Sequence, residues 1–308
     1  MLPAVLSAQD GKILHFPKST AKPVYTAPMR PVTHLADLKA KHRGEKTWQE
    51  RLVDDGNSVG VMIQDAPGTK SERHLFADSP AWWAVVEGRI RFEIEKTGGG
   101  FEVIDASTGS FVYAPERMLH SLEIVGPEPA IRYEVTVGPA VTPVYEKKPN
   151  RASPGIEFIP VTLSTGPNPL DVRNQGASDG KPWPVHINVY DVAKERAAGK
   201  NFTIEAMRAN RARGNLICGY PAAGGAAGDD GRGHLHSNTA ESWIVMLGEL
   251  RWTFDGDETS AIVARQGDLV YGPPGTFHEP QFWGKAGLNC RLTQSTMPSL
   301  NHFYDAPR

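Results

Sequence analysis

Gly233-His234-Leu235-His236-Ser237-Asn238-Thr239-Ala240-Glu241 is followed, after six residues, by Gly248. Further along stands Gly267-Asp268-Leu269-Val270-Tyr271-Gly272-Pro273-Pro274-Gly275-Thr276-Phe277-His278. On a strand, residues i and i+2 share a face, so His234 and His236 aim two imidazoles into one space. Glu241 comes five residues later, past a short turn, where a returning strand can bring a carboxylate to the same point. The Pro-Pro-Gly turn reverses the chain just before His278. Three imidazoles and a carboxylate suit one divalent first-row ion: Fe(II), Mn(II), Ni(II), Cu(II) or Zn(II). Two packed or surface histidines would explain His-x-His by itself. The glutamate, the glycines and the third histidine make a metal the better account.

The earlier half of the chain repeats these spacings, the mark of a duplicated unit. His74-Leu75-Phe76 lies over His234-Leu235-His236. Fourteen residues separate His74 from Gly88, and fourteen separate His234 from Gly248. Eleven separate Gly109 from His120, and eleven separate Gly267 from His278. The boundary is expected near residue 150, in the Pro-rich stretch Lys147 to Pro154, giving units 1–150 and 151–308. After Gly88 and again after Gly248, seven residues alternate apolar with polar, as half-buried strands do. Short helices are expected over Ala36–Arg43 and Val189–Ala198, and surface loops over 165–183 and at Asp255-Gly256-Asp257. The expected architecture is all-β, two barrels or sandwiches in tandem.

Composition agrees. The 308 residues include 31 Gly and 25 Pro, which favours many turns over long helices. A net charge of −2, without a basic block, disfavours an electrostatic nucleic-acid binder. No apolar run approaches the ~20 residues that span a bilayer. The start of the sequence lacks a basic region ahead of its apolar stretch, so a cytoplasmic location is expected. Cys218 and Cys290 cannot form a disulfide framework and are expected as a reduced, buried pair, though one bridge is possible.

The pattern His-x-His, four residues, Glu, six residues, Gly resembles the first signature motif of the cupin superfamily. Gly, five residues, Pro-x-Gly, two residues, His resembles the second. The resemblance covers both halves. It implies a bicupin with two jelly-roll barrels (double-stranded β-helices) and a homodimer. It also implies that His234, His236, Glu241 and His278 are the ligands of one divalent ion. The first copy departs from the pattern. At its four ligand positions stand His74, Phe76, Ala81 and His120, and Arg117 replaces the turn glycine. That site reads as degenerate, its pocket filled by Phe76, Trp82 and Trp83.

Four protein ligands leave two positions open on an octahedral ion. That suits a dioxygenase, in which a small aromatic or enolic substrate and O2 meet at the metal and Glu241 serves as catalytic base. It also suits non-redox lyase, decarboxylase or isomerase chemistry on a carboxylate or sugar acid. A binding bicupin without turnover is the third reading. Trp243 and Phe277 are candidate walls for the substrate, Tyr271 a candidate inward hydrogen-bond donor to it, and Arg208 a candidate carboxylate clamp. Trp252 and Phe254 are expected in the core. The glycine-rich Ala222–Gly233 stretch is expected as a loop over the site.

Overall fold

The computed structural model describes residues 22–96, 99–138, 143–147, 186–196, 199–209, 212–221, 233–236, 238–254, 261–284, 287–296 and 303–304, without the side chains of 208–209 and 303–304. The 165–183 loop, the Asp255–Asp257 turn, the 150 boundary and most of Ala222–Gly233 lie outside these residues.

Alternation of apolar and polar residues builds strands such as Arg89–Glu95, and nearly continuous apolar runs such as Ala81–Glu87 build the middle of the sheets. Among the described residues, each half folds as a six-stranded antiparallel sheet facing a five-stranded one. In the first half, Ala81–Glu87 lies between Ser110–Ala114 and Ala130–Val137 in the large sheet. In the second, Glu241–Leu247 lies between Leu269–Gly272 and Asn289–Thr296. The alternating segments after Gly88 and Gly248 form strands Arg89–Glu95 and Glu249–Phe254 in the small sheets. This is the jelly-roll barrel plan, twice over.

The middle strands of the two large sheets are buried on both faces, and residue parity divides their side chains. Ala81, Trp83 and Val85 fill the first barrel, while Trp82, Ala84 and Val86 join a core shared by both halves. Likewise Trp243 and Val245 fill the second barrel, while Ile244 and Met246 enter the shared core. The shared layer is not wholly apolar. The Trp82 indole N–H donates to Gln294 Oε1 across the halves, and Tyr133 and Ser242 share a hydrogen bond. Burying such groups is tolerated because they are paired.

The halves also exchange edges. Val32–Thr33 pairs with Leu269 and Val270 of the second barrel. His186–Asn188 pairs with Ser110 to Val112 of the first. Each of these strands runs into a short helix, Leu35–Lys41 and Val189–Glu195 respectively, close to its expected place. Asn188 caps its helix by accepting from Tyr190 N at 2.9 Å. His34 supplies no such cap. Asp268 of the other barrel does so instead, accepting from Leu35 N at 2.9 Å and from His34 Nδ1 at 2.8 Å.

One expectation is corrected. Cys218 and Cys290 are not a reduced pair; they form a disulfide, with Cα atoms 4.1 Å apart. The reason is register: Cys218 stands directly opposite Cys290 on neighbouring antiparallel strands, the close cross-strand spacing a disulfide requires.

Candidate metal centre

His234 and His278 lie opposite each other on paired strands of the small sheet. Glu241 opens the strand Glu241–Leu247 of the large sheet, facing Gly272 on one side and Ser295 on the other. The Pro-Pro-Gly turn carries the chain into the His278 strand. Gly275 adopts φ +76°, and its N–H donates to His236 O at 2.7 Å, tying the turn to the second histidine. Gly233 allows the close approach. A Cβ there would stand 2.3 Å from the Phe277 ring and 3.1 Å from His278 O.

These constraints bring one donor atom from each of His234, His236, Glu241 and His278 within 4.8 Å of one another. His278 Nε2 lies 3.2 Å from His234 Nε2 and 3.1 Å from Glu241 Oε2. His236 Nε2 lies 3.4 Å from Glu241 Oε1. His278 Nδ1 donates to Thr276 O at 3.0 Å, which orients the ring so that Nε2 faces the cluster. His236, Glu241 and His278 are buried, His234 partly so. Burial opposes ionisation of Glu241. Hydrogen bonds and charge from His236 and His278 outweigh it, holding the carboxyl well below the usual carboxylate range. A charged carboxylate among three inward imidazoles is a donor set that fits a divalent first-row ion. The group can hold one metal ion per chain.

The candidate substrate residues divide. Trp243 stands beside the cluster, its ring centroid 4.9 Å from that of His278. Phe277 is buried between Gly233 and the His278 strand. Tyr271 does not join them. It sits in the shared core, its hydroxyl donating to Asp55 Oδ2 at 3.2 Å, because Val270 and Gly272 take the barrel-facing parity of that strand. Arg208 lies on the outermost strand of the large sheet, opposite Arg213, and its side chain is outside the described residues. Trp252 and Phe254 are core, as expected.

Sequence reasoning missed Ser295, whose hydroxyl donates to Glu241 Oε1. A signal was present. Along Asn289–Thr296, the residues sharing the parity of Ser295 are Asn289, Arg291 and Thr293. All are buried, an unusual polarity for a strand with no exposed face.

The first barrel keeps half of this arrangement. His74 and His120 are paired across strands, with ring centroids 4.5 Å apart. His74 Nδ1 donates to Glu72 O at 2.8 Å, and His120 Nδ1 to Met118 O at 2.9 Å. Phe76 packs against both rings. Trp83 packs against His120, whereas Trp82 points into the shared core and does not fill this pocket. Arg117 holds the left-handed conformation of the glycine it replaces, at φ 62°.

Residues 225–288 match the family model described as a cupin domain. No curated protein matches the chain. Among solved structures, a variant of Bacillus subtilis oxalate decarboxylase is similar at 17% identity and TM-score 0.51, over 84% of this chain and 75% of that one. Another B. subtilis oxalate decarboxylase structure, of a protein with Mn(II) centres, is similar at 16% identity and TM-score 0.52, over 90% and 80%. A cupin 2 conserved barrel domain protein from Leptotrichia buccalis is similar at 12% identity and TM-score 0.54, over 86% and 96%. At such identities these likenesses speak for the fold. The cupin-domain match covers the stretch that carries the second ligand set, and these solved structures share the twice-repeated jelly-roll fold of this chain.

Proposed function

We propose that the chain is a metal-dependent enzyme acting on a small oxygen-donor molecule, with His234, His236, Glu241 and His278 as ligands of one divalent ion. The observation that carries this reading is the convergence of four donor atoms within 4.8 Å inside the second barrel. When bound, the ion would polarise substrate oxygen and neutralise charge that builds on it. Glu241, held ionised, accepts a proton from an enol or phenol. Trp243 and Phe277 flank the histidines, shield them from water and offer flat apolar surface to an aromatic or enolic body. On these grounds the proposed reaction is a dioxygenation with O2 as co-substrate. In this reading residues 1–150 form a barrel without a metal and 151–308 the working barrel, and the protein is a homodimer.

A second reading is non-redox cleavage of a carboxylate. It is favoured by the fold likeness to oxalate decarboxylase. O2 consumption decides between the two. Protein loaded with Fe(II), Mn(II) or Cu(II) and offered enolic and phenolic compounds should take up O2 in proportion to substrate lost. Turnover under strict anaerobiosis would sink the dioxygenase and leave the lyase standing.

For location, the Cys218–Cys290 bond weighs toward an oxidising compartment. Among the described residues no helix is long and apolar enough to cross a membrane.

A further inference from the structure

We infer that Ser295 is a positioning residue that makes Glu241 a one-oxygen ligand and thereby keeps two coordination positions free for substrate. This rests on the metal reading above.

The geometry is specific. Ser295 stands directly opposite Glu241 on the neighbouring strand, and both point into the second barrel. A carboxylate has two oxygens, and either or both can bind a metal. Here they are not equivalent. Oε1 accepts the Ser295 hydroxyl and lies 3.4 Å from His236 Nε2. Oε2 faces His278 Nε2 at 3.1 Å, and His278 Nε2 in turn faces His234 Nε2 at 3.2 Å. Each oxygen thus faces one ligand histidine, and Oε1 is in addition engaged by the Ser295 donor. A hydroxyl-to-carboxylate hydrogen bond is among the stronger kinds, and in a buried site its loss leaves Oε1 seeking another electrophile. The nearest one would be the ion.

The strand that carries Ser295 is fixed from the other half of the molecule. Gln294, the preceding residue, accepts from the Trp82 indole in the shared core. The first barrel therefore contributes to the site without touching it, by holding the register of the strand that steers Glu241.

The test uses the full chain, Mn(II) as the probe, and the number of exchangeable waters on the bound ion, read by EPR line broadening in oxygen-17 water. Four one-oxygen or one-nitrogen ligands on an octahedral ion leave about two waters. Ser295→Ala should leave about one, as Glu241 turns bidentate, with a changed zero-field splitting. Ser295→Thr, which keeps the hydroxyl, should retain the wild-type count, and Ser295→Val, its isostere without the hydroxyl, should behave like Ser295→Ala. The Thr and Val pair carries the comparison if the Ala variant does not fold. Equal water counts and equal splittings across wild type, Ala and Val would overturn the role of Ser295 while leaving the metal site standing. Failure of wild-type protein to bind Mn(II) or any other divalent ion would overturn the metal reading, and this inference with it.

Discussion

The two barrels hold the same pair of histidines in nearly the same pose. His234 and His278 have ring centroids 4.5 Å apart with planes at 69°; His74 and His120 have centroids 4.5 Å apart with planes at 61°. In both, the later histidine donates Nδ1 to the carbonyl two residues back. Strand register and a backbone acceptor set this geometry, so the fold alone supplies two converging imidazoles. Binding capacity comes from what is added. The second barrel adds His236, Glu241 and Ser295. At the matching places the first has Phe76, Ala81 and Thr136, the last two again directly opposite one another. A shared scaffold is therefore not evidence of a shared site.

The largest test of this contrast is metal content. His236→Ala should release most of the metal that copurifies with the protein, while His74→Ala should leave elemental analysis unchanged. Equal loss from both would mean that the first barrel works as well. Glu241→Gln should keep the fold, weaken the metal and remove most turnover.

A second contrast lies in the shared layer. Cys218–Cys290 staples the second barrel, and the matching cross-strand pair in the first, Gln64 with Ile131, cannot. Replacing both cysteines with alanine should lower stability by about 2–4 kcal/mol in urea titration. Free thiols found in the untreated protein by alkylation and intact mass would remove the contrast.

Per pH unit, the effect of acid on the metal-free protein is smaller still. Desolvation by burial, with the charge of His74 added, pushes His120 down to about 3 from 6.5. The unfolded chain then takes up a proton that the native barrel refuses. Stability is full above the unfolded value and falls as pH drops from about 6.5 toward 3, by up to about 1.4 kcal/mol per pH unit. His120→Phe should flatten this slope between pH 4 and 6.5 in chelator-treated protein. An unchanged slope would show that His120 is protonated in the folded state.

The smallest effect concerns the turn. Arg117 endures φ 62° where Gly275 sits at φ +76° without strain. A non-glycine residue in this region costs roughly 1–2 kcal/mol, part of which the Arg117 Nε bond to Ala77 O at 3.2 Å offsets. Arg117→Gly should raise stability by up to about 1 kcal/mol, and a lower melting temperature would show that the arginine's contacts matter more than its backbone.

The four clustered side chains were legible in the sequence because each lies at a fixed offset from a turn glycine, and turn chemistry is local. Strands after Gly88 and Gly248 were legible because one of their faces is wetter than the other. Tyr271 was misread for the opposite reason. Its strand is buried on both faces, so alternation says which residues share a side without saying which side is the lumen. Trp82 escaped in the same way. The cysteine pairing and Ser295 depend on the register between strands 72 and 54 residues apart in sequence, which no local pattern encodes.

The reciprocal lending of edge strands bears on how this molecule can be made and cut. During synthesis the first barrel waits for His186–Asn188 to emerge before its large sheet is complete, and Val32–Thr33 stays unpaired until Leu269 and Val270 leave the ribosome. A gene split near residue 150 would strand one β-edge on each fragment, leaving two sticky pieces better suited to reassembly when coexpressed than to separate purification.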